Sequence, residues 1–120
     1  ALLRAQQIQA RAARVGFDWK SAEPVREKVL EEWGELSEVL ESGNARRAEE
    51  EFGDLLFALV NYARHLSIQP EEALRKAIER FSRRFSRMER ESAQEGGRLS
   101  DLSLEAMDRL WEKVKREGEA

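Results

Sequence analysis

Two acidic pairs set into otherwise apolar helical patterns constrain this chain more than any other feature. They are Glu32 and Glu35 in Glu31-Glu32-Trp33-Gly34-Glu35, and Glu51 and Asp54 in Glu51-Phe52-Gly53-Asp54. At about 100° per residue of α-helix, Glu32 falls among Val25, Val29 and Leu36, inside the apolar arc, and Glu35 lies at its border. Glu51 falls between Ala58 and Tyr62 on the apolar side of the second segment, with Asp54 one turn further on at the border. Two helices thus each turn an i, i+3 acidic pair toward a buried interface. Carboxylates desolvated without partners are costly or are forced to protonate, so something cationic belongs between them. Salt bridges to Lys28, Arg46 and Arg47 are one solution. A hard divalent ion is the other and fits better: Mg²⁺ takes oxygen ligands in octahedral geometry, keeps several waters and is commonly completed by substrate phosphates.

The remaining pattern is helical throughout. Leu2 to Ala13 reads as a first helix, closed by Gly16 at positive φ, which leaves Phe17 and Trp19 on a loop. Both rings are placed to plug the end of a helical bundle, and an indole beside a polar site is also a stacking surface for a nucleobase. Ser21 is the expected N-cap of a second helix ending at Ser42-Gly43-Asn44, and Asn44 caps a third running from Ala45 to about Leu66. Gly34 and Gly53, each beside an acidic motif, suggest close approach of another helix or a ligand. From Leu55 to Val60 the third helix is apolar all round, which a monomer of this size cannot bury; a homodimer or higher oligomer is therefore expected. Asn61 and His65 continue the border of Asp54. Asn61 is placed either to reach a sugar or phosphate or to serve as a satisfied rim residue.

Pro70 opens a fourth helix through about Gln94, whose apolar positions Ala73, Leu74, Ala77, Ile78, Phe81, Phe85 and Met88 are expected in the core. The same helix carries Arg80, Arg83, Arg84 and Arg87, either a solvated face or a set of bidentate donors for a polyphosphate. After Gly96-Gly97, Ser100 or Ser103 caps an amphipathic fifth segment, Leu104 to about Lys115, expected to strap over the bundle and bring Trp111 and Lys113 toward the site. With no strand pattern and no Gly-rich phosphate loop, the fold class is all-α: one domain over residues 1–120, a four-helix-bundle-like core with an extra C-terminal helix.

Composition excludes other classes. Charged residues make up 38% of the chain at a net charge of −3, with the two signs interleaved, which argues against nucleic acid as the main partner. Cys is absent and there is one His, removing disulfides, thiol nucleophiles and zinc fingers. A di-iron bundle needs Glu-x-x-His on two helices, and His65 follows Tyr62 at that spacing. No apolar run reaches bilayer length, and Ala1-Leu2-Leu3-Arg4 lacks the build of a signal peptide, so a soluble cytoplasmic protein without membrane contact is the default expectation.

With these residues in hand, the chain resembles the MazG nucleotide pyrophosphohydrolase family, within the all-α NTP pyrophosphohydrolase group. The acidic pattern Glu-Glu-x-x-Glu followed by Glu-x-x-Asp stands at Glu31-Glu32-Trp33-Gly34-Glu35 and Glu51-Phe52-Gly53-Asp54. Val15-Gly16-Phe17-Asp18-Trp19, Asn61-Tyr62-Ala63-Arg64-His65-Leu66, Phe81-Ser82-Arg83-Arg84-Phe85 and Trp111-Glu112-Lys113-Val114-Lys115 match in order and spacing. Among family members the chain is most similar to the catalytic second repeat of two-domain proteins, or to a single-domain relative. The resemblance implies Glu32, Glu35, Glu51 and Asp54 as Mg²⁺ ligands, with Mn²⁺ a substitute, and Glu31 as an outer acid or base. It implies Arg80 and Arg84 as phosphate contacts and Trp111 with Lys113 near the nucleotide. Ile78 and Arg80 stand where the family usually has Asn and Lys, Trp33 replaces an aliphatic residue, and Lys20 replaces Pro.

The implied reaction is hydrolysis of a nucleoside triphosphate to the monophosphate and pyrophosphate. Glu31 or Glu35 would take the water's proton, Arg80, Arg83 and Arg84 would hold pyrophosphate, and Trp19 would stack the base. The alternative is a non-catalytic helical dimerisation or nucleotide-sensing module, with Ile78 marking lost catalysis.

Overall fold

The computed structural model describes residues 1–118. Five α-helices and no strand occur among the described residues: α1 (Leu2–Arg14), α2 (Ala22–Ser42), α3 (Ala45–His65), α4 (Pro70–Gln94) and α5 (Leu104–Gly118), with a 3₁₀ turn at Leu99–Asp101. The all-α expectation holds, and the helix ends fall within a few residues of those read from the pattern. None of the described helices is long and apolar enough to cross a membrane.

The helix boundaries have local causes. Gly16 takes φ 90° just past α1, where the Phe17 N–H returns to the Ala12 carbonyl. Gly43 takes φ 75° at the end of α2, and its N–H bonds the Leu40 carbonyl. Asn44 then caps α3, its side chain accepting from the Arg47 N–H at 3.2 Å. Ser21 precedes α2 in extended conformation but makes no side-chain cap bond. Ser103, not Ser100, caps α5, its hydroxyl accepting from the Ala106 N–H at 3.1 Å.

The chain divides into two compact units, Ala1–Ala73 and Leu74–Ala120. In the first, the two-residue link Gly43-Asn44 reverses the chain, so α2 and α3 form a helical hairpin, and α1 packs on α3. Its core is Val25, Leu36 and Val39 from α2 with Leu55, Ala58 and Val60 from α3. In the second unit α5 meets α4 through side chains. Met88 and Val114 are buried, the Trp111 ring lies 5.2 Å from that of Phe81, and the Arg84 guanidinium sits 5.7 Å over the indole. Lys113 pairs with Glu91 at 3.5 Å, and Arg87 pairs with both Glu91 and Glu117.

Three packing expectations are corrected. Phe17 does not plug a bundle end; it is 82% exposed, on the loop that follows the left-handed Gly16. Of the α4 stripe, Leu74, Ile78, Phe81 and Phe85 remain exposed and only Met88 is buried, since α5 covers just part of that face. Among the described residues nothing lies within 4 Å of a Cβ built on Gly34 or Gly53, so no helix of the first unit packs closely on either glycine.

Candidate metal and nucleotide site

Because α2 and α3 pack side by side, the acidic residues of their inner faces converge. Glu32, Glu35 and Glu51 each bring one carboxylate oxygen within 4.8 Å of the others. Glu32 is only 6% exposed; Lys28, one turn earlier on α2, reaches its Oε1 at 3.1 Å and also touches Glu31 at 3.4 Å. Of the three cations the sequence offered, Lys28, Arg46 and Arg47, Lys28 is the one that pairs with Glu32. Arg46 pairs with Glu50 instead, at 3.9 Å. Glu32 Oε2 and Glu51 Oε2 are left buried with no hydrogen-bond partner. The charge of Glu32, then burial, then the close carboxylates of Glu32 and Glu51, raise the pKa of Glu35 above the ordinary carboxylate range. An acidic cluster of this kind, holding orphaned oxygens and lacking enough positive charge, suits a hard oxygen-seeking cation.

Asp54 is not in that triad. It is exposed and lines a neighbouring cavity of about 640 Å³, together with Glu32 and Lys28. The rest of this cavity's wall is mainly apolar and aromatic: Ile8 and Ala12 of α1, Phe17 and Trp19 of the loop, and Phe57 and Ala58 of α3. Glu35 and Glu51 instead face a smaller polar recess of about 360 Å³, shared with Glu38, Ser42 and Arg47. The carboxylate triad therefore sits between an apolar cavity on the Glu32 side and a polar recess on the Glu35 side. The cavity suits an aromatic group, and the recess, with three glutamates to one arginine, suits a cation.

Trp19 and Asn61, both singled out from the sequence, do lie on the apolar cavity wall. Glu31 is exposed and held by Lys28. Arg80, Arg83 and Arg84 share a groove of about 700 Å³ on the second unit with Arg87 and Arg90. Trp111 is packed on Phe81 and Arg84, and Lys113 is engaged by Glu91.

Two features escaped the sequence reading. Asp18, on the α1–α2 loop, receives the Arg64 guanidinium at 2.5 Å and lies 2.9 Å from His65 Nε2, while Arg64 also donates to Asn61 Oδ1 at 2.8 Å. Chiefly through the Arg64 bond, the Asp18 carboxyl titrates at about 2. This network ties the Phe17–Trp19 loop to the end of α3. Its members were visible in separate motifs, but their pairing across 46 residues was not. Gln9 is the other: it is 6% exposed and donates from Nε2 to the Phe57 carbonyl at 2.9 Å. Its place among Leu2, Ala5 and Ala12 on the apolar side of α1 is the same signal that singled out Glu32.

The model of the MazG nucleotide pyrophosphohydrolase domain matches residues 20–88, the stretch that carries the triad and Asp54. The chain belongs to this family. It is 49% identical over 115 residues to the nucleoside triphosphate pyrophosphohydrolase/pyrophosphatase MazG of Thermotoga maritima, covering 96% of this chain and 44% of that protein. It is also 49% identical over 119 residues to the nucleoside triphosphate pyrophosphohydrolase of Escherichia coli K12, covering 98% of this chain and 45% of the other. An uncharacterized protein of Bacillus subtilis, YabN, is 55% identical over 65 residues, which is 54% of this chain and 13% of that one. The chain thus spans a little under half the length of the first two relatives.

Proposed function

We propose that this MazG domain hydrolyses nucleoside triphosphates to nucleoside monophosphate and pyrophosphate, with Mg²⁺ as its cofactor and Mn²⁺ as a substitute. The observation that carries the reading is the Glu32-Glu35-Glu51 triad with its two unpartnered buried oxygens. The names borne by the relatives from Thermotoga maritima and Escherichia coli support the same chemistry.

Glu32, Glu35 and Glu51 would hold the ion, with Asp54 as a fourth acid facing the adjoining cavity. When bound, Mg²⁺ supplies charge neutralisation for the phosphates and acidifies a water. Glu35, beside the ion, and Glu31, exposed and steadied by Lys28, are the two candidate bases for the attacking water. Trp19 offers its indole face to the base on the cavity wall. Arg80 and Arg84 contact phosphate, as the family resemblance implies, and Arg80→Gln then raises KM for the triphosphate. The working protein is a homodimer in which a second copy covers the exposed apolar faces of α2 and α3.

The deciding assay incubates the protein with ribo- and deoxyribonucleoside triphosphates and Mg²⁺ and identifies the products. Pyrophosphate with monophosphate is expected. Orthophosphate with diphosphate as the sole products, or turnover that survives Glu35→Ala and Asp54→Ala, overturns the reading in favour of a different reaction or a non-catalytic module.

A further inference from the structure

A single oxygen, Asp18 Oδ1, gathers three donors: the Arg64 guanidinium at 2.5 Å, His65 Nε2 at 2.9 Å and the backbone N–H of Trp19 at 2.8 Å. A carboxylate only accepts, so His65 carries a proton on Nε2 here. Among the described residues, the hydrogen bonds from α3 to the α1–α2 loop all end on that atom. Phe17, left exposed, gives the loop little apolar anchorage, and Gly16 at φ 90° is a backbone pivot beside it. The Asp18 and Arg64 side chains are only 20% and 18% exposed, so solvent screens their attraction less than that of a surface pair.

Arg64 also orients Asn61. Its Nε and Nη2 both donate to Asn61 Oδ1, at 3.2 Å and 2.8 Å, which fixes the amide and leaves Nδ2 as its uncommitted end. Asp18, Trp19, Asn61 and Arg64 all line the cavity of about 640 Å³. One planar guanidinium, able to serve two acceptors at once, therefore couples an aromatic wall on the loop to a polar wall on α3. Neither Asp18 nor Arg64 belongs to the carboxylate triad, so this clasp bears on how an occupant is held in the cavity rather than on the reacting phosphate.

We infer that Asp18 and Arg64 are positioning residues for the base of the nucleotide: their clasp holds the Trp19 indole and the Asn61 amide in place against it. The inference rests on the nucleotide reading of this site. A base contact made equally in the ground state and the transition state lowers KM and leaves kcat alone. Asp18→Asn keeps the side chain's shape and removes the charge that holds Arg64. It should raise KM for ATP about five- to tenfold, with kcat within about twofold of wild type. Inorganic tripolyphosphate, which has phosphates but no base, should compete equally well in variant and wild type. In a Trp19→Ala background the same substitution should raise KM much less, because the ring it positions is gone.

Calorimetric titration of AMP in Mg²⁺ reads the same contact without turnover, and Asp18→Asn should weaken it by a similar factor. A fall in kcat with KM unchanged, an equal loss of nucleotide and tripolyphosphate affinity, or full additivity with Trp19→Ala overturns the inference. Should Asp18→Asn not fold, Arg64→Gln, which keeps the Asp18 charge and removes the guanidinium, is held to the same criteria. Pyrophosphate release with nucleotide affinity unmoved by the variants sinks this inference and leaves the hydrolase reading standing. AMP binding that the variants weaken, in a protein that releases no pyrophosphate, does the reverse. A wild-type protein that neither binds AMP nor turns over ATP sinks the two together.

Discussion

Glu32 is pulled in two directions: Lys28 stabilises its charge at 3.1 Å, while Glu35 and Glu51 crowd it with like charge inside 4.8 Å. Removing the ammonium with Lys28→Met leaves a buried carboxylate with acids for neighbours, and should destabilise the metal-free protein by about 1–3 kcal/mol, read by urea unfolding. Glu35→Gln works the opposite way. It removes repulsion at a site where the charged form is already disfavoured, so the metal-free variant should melt at least as high as wild type while Mg²⁺-dependent turnover and Mg²⁺-induced stabilisation disappear. A variant that melts markedly lower would show the cluster to be structural.

Asp18 behaves differently because its neighbours are cations. Its pKa is depressed to about 2, so the unfolded chain binds the proton more readily, and the stabilisation from Arg64 is fully present above the ordinary carboxylate pKa. It is lost as pH falls from about 4 through 2. Asp18→Asn should accordingly flatten the acid limb of the stability curve over that window, measured by helical signal in thermal melts. An unchanged acid limb would show that Arg64 does not hold the loop in solution.

At the level of helices, two glycines make opposite demands. Gly16 sits at φ 90° beyond α1, a conformation a Cβ disfavours by about 1–2 kcal/mol, so Gly16→Ala should destabilise the protein by about that amount and disturb the Phe17–Trp19 loop. Gly34 lies inside α2 with open space around a built Cβ. Gly34→Ala should therefore stabilise the isolated chain by about 0.5–1 kcal/mol through helix propensity. If instead it destabilises, and more so at higher protein concentration, a second copy approaches that face closely. Paired thermal melts of the two variants at several concentrations decide this.

For the whole molecule, the exposed apolar side chains matter most. Leu30, Trp33 and Leu40 on α2, and Phe52, Leu56 and Leu59 on α3, are all exposed, and on α3 they recur at helical spacing along one side. A continuous apolar stripe of this kind is covered by association. Sedimentation velocity at micromolar concentration should give a dimer, and Leu56→Glu or Leu59→Glu should shift it to monomer. A wild-type monomer would leave these faces without a partner and remove the support for the homodimer.

How far each property was legible depended on whether it is periodic along the chain. The helices, their caps at Gly16, Gly43 and Asn44, and the inward set of Glu32 and Glu51 follow from spacing alone, because a side chain's direction on a helix is fixed by its position. Gln9 was just as readable and shows the same signature, a polar residue at an apolar position of α1. What spacing could not supply was distance between helices. Only packing decided that Glu35 joins Glu32 and Glu51 while Asp54 turns to the adjoining cavity, that Lys28 rather than an arginine answers Glu32, and that Asp18 finds Arg64 and His65. A sequence sets what each helix presents; which faces meet, and at what separation, depends on how the helices pack against one another.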